Sequence, residues 1–390
     1  MKNKIYLTDY VLSYQNVCNY LYSIINNPKY KSKIIRDTAS PIGYTTFNYP
    51  IDCYKIGYGK RHVLLLGDTH GCEIVTTYFL LEFILTILND DELYEKYSKY
   101  YTFHIIPILN PEGYIISTSN VCQNVKGLTT TEFEELAKEY LKKYNLDDEI
   151  AKKNIKANKE HRNVLKTSTE YIPDEKLRKN VERILKNCNL SSSVLPTWSA
   201  NGMGIDLNRN SIHNFKQAKK LANKKKFANL RYNDIPTTKP SPIGYPGDFP
   251  FDTRCPENLA LHKYINSLYN LNYTTTDEKF IAIFSFHSTG GEIYSSPDKD
   301  HATNNKIACY AGVMKKYSSY TGYEIMDEEI KYGIMDYYRI SLKKVYALTI
   351  ELSKLNGNPI GPFANINSLL SEIQNNKIAI LNTLIYISKL

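Results

Sequence analysis

A chain of 390 residues with 42% hydrophobic and 23% charged residues has the composition of an ordinary globular protein. This composition excludes a disordered or fibrous chain and allows a large buried core. The net charge of +9 would suit an anionic partner, but the lysines are scattered and accompany no recognised nucleic-acid motif. We therefore expect no nucleic-acid partner.

The cysteines and the apolar segments indicate the compartment. The seven cysteines are widely spaced, odd in number and never arranged as CxxC, which fits a reducing compartment. Asp9 and Gln15 interrupt the apolar stretch that an N-terminal signal peptide requires. The most apolar window, residues 78–88, is too short for a membrane span and contains Glu82. We expect a cytoplasmic protein without a membrane partner.

The predicted elements alternate between helices and strands along the chain. Apolar spacing predicts helices over residues 9–25, 74–88, 131–144, 174–188 and from 365 through 373 and beyond. Short apolar runs predict strands over residues 51–56, 63–66, 103–109, 280–286 and 345–350. Gly57 and Gly59 predict a tight turn between the first two strands. This order predicts an α/β fold, in which ligands bind at the carboxyl ends of the strands.

The stretch from residue 121 to 197 differs from its surroundings because it is rich in charged, helix-forming segments. We interpret it as a helical insertion within a single domain that spans residues 1–390.

Polar residues follow three of the predicted strands. His70 and Glu73 come just after strand 63–66, His287 ends strand 280–286, and Glu351 ends strand 345–350. Two imidazoles and one carboxylate are common zinc ligands, and a catalytic zinc keeps a fourth position open. Taken singly, each residue has a structural alternative, since a lone histidine is often a core residue. A carboxylate at the end of an apolar strand is costly to bury without a partner.

Four blocks, in the same order, resemble the zinc carboxypeptidase family. They are His-Gly-Cys-Glu at 70–73, Gly-Ile-Asp-Leu-Asn-Arg-Asn at 204–210, Phe-His-Ser-Thr-Gly-Gly-Glu-Ile-Tyr at 286–294 and Thr-Ile-Glu-Leu at 349–352. The third block and Asn-Pro-Ile at 358–360 are most similar to bacterial γ-D-glutamyl-L-diamino acid endopeptidases. Further matches are Asn-Pro-Glu-Gly at 110–113 and Pro-Glu-Asn at 256–258. The resemblance implies a twisted mixed sheet of about eight strands flanked by helices.

The resemblance also implies a metal centre. Carried over by position, His70, Glu73 and His287 would bind one Zn²⁺ per chain, and Glu351 would be the catalytic base and then the acid. Asp206 would accept a hydrogen bond from His70 and fix its tautomer.

Three further residues would bind the substrate. Asn208 and Arg209 match the family pair that holds a substrate carboxylate, a task that suits the planar guanidinium group. Arg209 could instead pair with an acid at the rim of the sheet. Tyr332 is the candidate for the family's tyrosine that caps the substrate.

One departure from the family concerns the cation that polarises the scissile carbonyl. The family usually has a cationic residue near the position of Trp198, whereas this chain has Ser199 and Met203 there. The missing cation would have to come from elsewhere. The candidates are Arg162, Arg178 and Arg231.

The resemblance implies hydrolysis of an amide bond in short, carboxylate-bearing peptides, including cell-wall-derived γ-D-glutamyl-diamino acid peptides. A conventional metallocarboxypeptidase and an N-acyl amino acid deacylase remain alternatives, because they share the ligand pattern. Because Ser199 replaces the expected cation, a catalytically silent metal-binding interaction protein is a further alternative. The sequence leaves the oligomeric state open.

Overall fold

The computed structural model describes residues 13–144, 165–212, 215–223, 235–274, 276–294, 304–326, 333–352, 363 and 365–390. The strands are β1 (Ile34–Arg36), β2 (Gly43–Tyr44), β3 (Pro50–Ile51), β4 (Tyr54–Ile56), β5 (Arg61–Leu66), β6 (Tyr101–Ile106), β7 (Lys279–Ser288), β8 (Glu292–Tyr294), β9 (Glu324–Met326) and β10 (Tyr346–Leu352). The α-helices are α1 (Tyr14–Ile25), α2 (Ile74–Asn89), α3 (Asp91–Ser98), α4 (Pro111–Val125), α5 (Thr130–Tyr144), α6 (Glu175–Cys188), α7 (Phe215–Asn223), α8 (Pro256–Asn270), α9 (Asn304–Thr321), α10 (Ile334–Ser341) and α11 (Ile366–Ile387).

Eight of the strands form one mixed sheet in the order β1-β4-β6-β5-β7-β10-β8-β9, and β2 pairs with β3 separately. The four central strands β6, β5, β7 and β10 are parallel to their neighbours within this group. Strand β4 is antiparallel to both β1 and β6, and β8 is antiparallel to β10. The carboxyl ends of the four central strands therefore meet at one edge of the sheet, where folds of this kind bind their ligands.

Helices cover both faces of the sheet. Side chains of α1, α2, α3, α9 and α11 share one apolar core with the sheet, and side chains of α8 and α10 share another. Strand β5 is buried along residues 62–66, and α2 is buried on nearly all sides, as their continuous apolar sequences require. A third core, next to the sheet, joins α4, α6 and the segment around Trp198.

The fold agrees with the predicted mixed sheet of about eight strands with flanking helices. The predicted helices at 74–88, 131–144 and 174–188 are present, and the final helix continues to Ile387. The predicted helix at 9–25 begins at Tyr14 within the part of the chain that the structure describes. The described part of the 121–197 segment contains helices and no strand, and its role as an insertion remains a prediction.

Two predictions about the first strands were wrong. The run 51–56 is not one strand, because the chain leaves β3 after Ile51 and enters β4 at Tyr54. Strands β4 and β5 do not pair across the predicted turn at Gly57, because β6 lies between them. Residues 57–60 do not form the predicted tight turn, because they cross the start of β6, where Tyr58 N–H bonds to the Ser98 carbonyl oxygen.

All seven cysteines are free thiols. Among the described helices, none combines the length and the apolar character that crossing a membrane requires.

Candidate metal centre

Three side chains converge at the carboxyl edge of the central strands. His70 Nδ1 lies 2.8 Å from Glu73 Oε1, and His287 Nδ1 lies 3.1 Å from Glu73 Oε2. The two Nδ1 atoms are 3.4 Å apart, and one donor atom from each residue lies within 4.8 Å of the others. Two imidazole nitrogens and one carboxylate oxygen therefore point at a common centre.

The loop after β5 brings two of these residues together. Glu73 occupies the position before the first turn of α2, so its backbone direction is fixed by that buried helix. Gly71 packs so closely that an added Cβ would lie 2.1 Å from the backbone carbon of Gly113. Only glycine fits at position 71 in this close contact, which explains the glycine of the His-Gly-Cys-Glu block.

The second nitrogen of each imidazole also has a polar neighbour. His70 Nε2 is 3.4 Å from Asp206 Oδ1, and His287 Nε2 is 3.3 Å from Ser285 Oγ. Because both Nδ1 atoms face the centre, these contacts favour tautomers that carry the proton on Nε2. The His70 and Asp206 atoms lie at the distance of an ion pair, but their geometry is not that of a well-aligned hydrogen bond.

Glu351 lies beside His287 on the neighbouring strand. The register of β10 with β7 sets Glu351 opposite His287, and the register with β8 sets it opposite Glu292. Side chains opposite each other in paired strands point to the same face. Glu351 is half-buried, and its carboxyl group is available at the same edge as the three converging residues.

The segment with Asp206, Asn208 and Arg209 approaches the centre from the other side. Asp206 caps the short 3₁₀-helix Leu207–Arg209, since its Oδ1 accepts from the backbone N–H of Asn208 at 3.0 Å. Its Oδ2 accepts from the N–H of Gly244 at 3.0 Å. Asn208 Oδ1 accepts from the N–H of Ile334 at 2.9 Å, which orients the amide. Arg209 is half-buried and electrostatically coupled to Glu351.

Ser199, one of the two residues near which the resemblance implies a cation, has its side chain in contact with Cys72. The Ser199 Oγ and Cys72 Sγ atoms are 3.3 Å apart. The amide of Asn110 donates to the carbonyl oxygens of Ser199 and Ala200, both at 3.2 Å, and so fixes this loop beside the loop of Thr69. The Asn-Pro-Glu-Gly block is therefore a structural clamp between two loops of the site.

The structure leaves several predicted residues untested or places them away from the centre. Tyr332, Arg162 and Arg231 lie outside the described residues. Arg178 lies in the first turns of α6, and no contact joins it to the site in the part of the chain that the structure describes. Met203 is half-buried and accepts a weak contact from the amide of Asn180 at 3.6 Å.

Two site residues were missed from the sequence. Ser285 precedes His287 by two positions on the same strand, so the two-residue alternation of β7 could have placed it on the same face. Glu292 stands opposite Glu351, but only the pairing of β8 with β10 reveals this. It accepts a hydrogen bond from the Tyr294 hydroxyl group at 2.5 Å.

Several titratable groups are buried close together at the site and shift one another's pKa values. Burial would raise the pKa of Glu73, but His70 and His287 outweigh it and lower that pKa to about 2. Burial would lower the pKa of His70, but the carboxylates of Glu73 and Asp206 raise it well above its usual range. Burial lowers the pKa of His287. Burial and then the Glu73 carboxylate raise the pKa of Glu351 well above its usual range. A bound dication would reverse this last shift, since it favours the carboxylate.

The donor set fits zinc. Four-coordinate zinc with bonds of about 2.0 to 2.2 Å separates its nitrogen and oxygen ligands by about 3.3 to 3.6 Å. The two Nδ1 atoms, 3.4 Å apart, have this spacing, and the distances of 2.8 and 3.1 Å to the two different oxygens of Glu73 are somewhat shorter. Two histidines and one glutamate are also a ligand set of catalytic zinc sites, which leave one position for water or substrate.

A mixed sheet with two histidines and a glutamate at its carboxyl edge defines a zinc-dependent hydrolase. The sequence profile of the zinc carboxypeptidase family matches residues 36–357, so the chain belongs to this family. It is a metallocarboxypeptidase-type hydrolase whose cofactor is zinc. No curated protein matches the chain.

Solved structures with a similar fold are carboxypeptidase-like proteins. Bovine thrombin-activatable fibrinolysis inhibitor, in complex with a tick carboxypeptidase inhibitor, is 16% identical with a TM-score of 0.55, covering 97% of this chain and 99% of that chain. Carboxypeptidase A from Helicoverpa armigera is 13% identical with a TM-score of 0.55, covering 98% of this chain and 76% of that chain. At these identities, the likeness concerns the fold alone.

Proposed function

We propose that this metallopeptidase hydrolyses an amide bond in short peptides with a free carboxylate, and that γ-D-glutamyl-diamino acid peptides derived from cell walls are its substrates. The convergence of His70, Glu73 and His287 beside Glu351 carries the proposal of hydrolysis. The similarity of the 286–294 and 358–360 blocks to the γ-D-glutamyl-L-diamino acid endopeptidases supports the choice of substrate.

We assign the zinc ligands to His70 Nδ1, one carboxylate oxygen of Glu73 and His287 Nδ1. When bound, zinc acidifies a water molecule and polarises the scissile carbonyl group. Asp206 and Ser285 hold the two imidazole rings in the orientation that presents Nδ1 to the centre.

Glu351 is the proposed base and acid. Its carboxylate takes a proton from the attacking water as the water oxygen bonds to the carbonyl carbon. The same proton then passes to the amide nitrogen as the carbon–nitrogen bond breaks, so the products are a carboxylic acid and an amine.

Asn208 and Arg209 are the proposed carboxylate receptor. Asn208 Oδ1 is occupied by the N–H of Ile334, so the amide NH₂ is the side of the group that can donate to a substrate. No described residue accepts from that NH₂ group. Arg209 adds a positive charge beside it, and its fork can donate two parallel hydrogen bonds to a carboxylate.

The test compares three substrates with the zinc-loaded protein. A γ-D-glutamyl-diamino acid peptide, an α-linked peptide with the same C-terminal residue and an N-acyl amino acid are incubated separately, and products are identified by mass spectrometry. We expect cleavage of the first at the γ-D-glutamyl bond. Cleavage of the second or third alone would replace the proposed substrate with a conventional carboxypeptidase or deacylase substrate.

Glu351→Gln is the decisive variant. Loss of a general base should lower kcat by about 10² to 10⁴-fold without loss of bound zinc. Glu92→Gln, at an exposed position in the first turn of α3, is the matched control and should retain full activity. Equal activity of the Glu351→Gln variant and the wild type would remove Glu351 from the mechanism.

A further inference from the structure

Four donor side chains meet inside the protein, outside the proposed active site, on the face of the sheet that α8 covers. His104 is in β6, Tyr264 is in α8, Asp37 follows β1, and Cys53 precedes β4. Their exposed fractions are 2%, 6%, 7% and 0%, respectively. No step of the proposed hydrolysis uses any of them.

The donor atoms form a compact group around the Tyr264 hydroxyl group. Tyr264 Oη is 2.8 Å from Asp37 Oδ2, 2.6 Å from His104 Nδ1 and 3.2 Å from Cys53 Sγ. His104 Nδ1 is 3.2 Å from Asp37 Oδ2. The donor atoms of Asp37, Cys53 and His104 lie within 4.8 Å of one another. Thus the other three donor atoms all lie within hydrogen-bonding distance of the Tyr264 oxygen.

The four donor atoms lie almost as close together as the ligands of a closed zinc site. Zinc bonds of about 2.0 to 2.3 Å separate tetrahedral ligand atoms by about 3.3 to 3.8 Å. The four distances, from 2.6 to 3.2 Å, are shorter because the same atoms are in hydrogen-bonding contact. Movements of under about 1 Å would bring these four distances to the spacing of zinc ligands. Sulfur, nitrogen and oxygen donors together favour zinc over magnesium or calcium.

The second nitrogen of His104 continues into a chain of polar contacts. His104 Nε2 is 2.8 Å from His62 Nδ1, and His62 Nε2 is 3.9 Å from Glu278 Oε1. If His104 Nδ1 binds a metal, Nε2 carries the proton and donates to His62, whose own proton then sits on Nε2. That proton faces the Glu278 carboxylate. His62 Nε2, a buried nitrogen without a hydrogen-bond partner, would then carry a proton that a nearby anion attracts.

The charges of the cluster also favour a dication. The Asp37 carboxylate makes no ion pair with a lysine or arginine among the described residues. Lys55 is the register partner of His104, but no ion pair joins it to Asp37 in the described part of the chain. The carboxylate accepts hydrogen bonds from the Ala39 N–H at 3.0 Å and the Tyr264 hydroxyl group at 2.8 Å, but no cationic side chain balances its charge. Zinc would neutralise the Asp37 carboxylate and a Cys53 thiolate together, with release of the thiol proton to solvent, while Tyr264 would bind through its oxygen as a neutral phenol and keep its proton.

We propose that these residues form a second, structural zinc site with the ligands Asp37, Cys53, His104 and Tyr264. Its four donors come from distant parts of the sequence, so the bound ion ties the antiparallel edge of the sheet to α8. A site with four protein ligands leaves no position for a substrate, and its role is to stabilise the fold.

The test measures the metal content of the full chain and the spectrum of its cobalt form. We expect two zinc ions per chain after dialysis against metal-free buffer, and a thiolate-to-cobalt charge-transfer band in the near ultraviolet after substitution. The band should persist in Glu73→Ala, which loses the other site, and disappear in Cys53→Ala. Cys53→Ala should keep peptidase activity within about twofold of the wild type and unfold at a lower temperature.

Cys72→Ala is the matched control because Cys72 is the cysteine between the proposed active-site ligands. Loss of the band in this variant, but not in Cys53→Ala, would assign the thiolate to the active site and overturn the proposal. One zinc ion per chain and no band in the wild type would mean a hydrogen-bonded network alone and would also overturn it. The wild-type measurement remains decisive if Cys53→Ala fails to fold, and the band does not depend on peptidase activity.

Discussion

Replacing Asp206 with asparagine should weaken zinc binding and should also lower the free energy of unfolding. The two effects can be measured separately. The carboxylate faces His70 Nε2 at 3.4 Å and accepts from two backbone N–H groups, those of Asn208 and Gly244. Loss of the charge beside a zinc-binding imidazole lowers metal affinity by about 10- to 100-fold, or about 1.4 to 2.7 kcal/mol. Asparagine has a single side-chain oxygen, so its NH₂ group must face one of the three donors. This should cost about 1 to 3 kcal/mol in the free energy of unfolding.

Zinc affinity is measured by competition with a chelator of known affinity, and stability by urea unfolding of the metal-free protein. Asp252→Asn is the matched control, because Asp252 is also buried and accepts from the backbone N–H groups of Asp248 and Arg254 without contacting His70. It should lose stability but keep zinc affinity. If Asp206→Asn also kept zinc affinity within twofold while losing stability, Asp206 would be a helix cap and not a partner of His70.

Burial raises the pKa of Glu257 well above its usual 4.5, so the folded protein retains a proton that the unfolded chain releases. Stability should therefore fall as the pH rises above the usual carboxyl pKa, by up to about 1.4 kcal/mol per pH unit until the pKa of the folded state is passed, and Glu257→Gln should flatten this slope in urea titrations. Gly71→Ala would press its Cβ to 2.1 Å from the Gly113 backbone, so it should lose about 1 to 3 kcal/mol and bind zinc more weakly. Gly127→Ala, which meets nothing within 4 Å, should lose about 1 kcal/mol in thermal unfolding and leave zinc affinity unchanged. Arg209→Lys should lower kcat/KM about 10- to 100-fold for peptides with a free C-terminal carboxylate and have little effect on their amides.

The sequence was most informative where a residue directly follows a buried strand. The apolar runs of β5, β7 and β10 predicted three strand ends, and in the structure β7 joins β5 to β10, which brings His70, His287 and Glu351 to one edge. This works because the carboxyl ends of parallel neighbours meet at the same edge of a sheet. The family resemblance supplied the ligand set, which spacing alone left open.

Contacts between segments far apart in the chain could not be predicted in the same way. The 3.3 Å contact of Ser199 with Cys72 joins residues 127 positions apart, and the Asp37–Tyr264 hydrogen bond joins residues 227 positions apart. No local periodicity encodes such pairs, since they arise when separate elements pack. The order of β4, β6 and β5 was missed for the same reason: a turn signal gives the connection of two strands but not their neighbours.

The charge balance of the site explains why the replacement of the family's cation by Ser199 matters. Apart from the two histidines, the described residues around the centre that carry formal charge when ionised include Asp68, Glu73, Asp206, Glu292, Glu351 and Arg209. With Ser199 and Cys72 as neutral neighbours, Arg209 is the cation of this set, and its proposed task is to hold the substrate carboxylate. Stabilisation of negative charge on the scissile carbonyl then falls mainly to zinc, because a hydroxyl or thiol donor is weaker than a guanidinium group. Introducing a cation by Ser199→Arg should therefore raise kcat and leave zinc affinity unchanged. Steady-state kinetics measures the first and chelator competition the second, and an unchanged kcat or a weaker zinc affinity would contradict the reasoning.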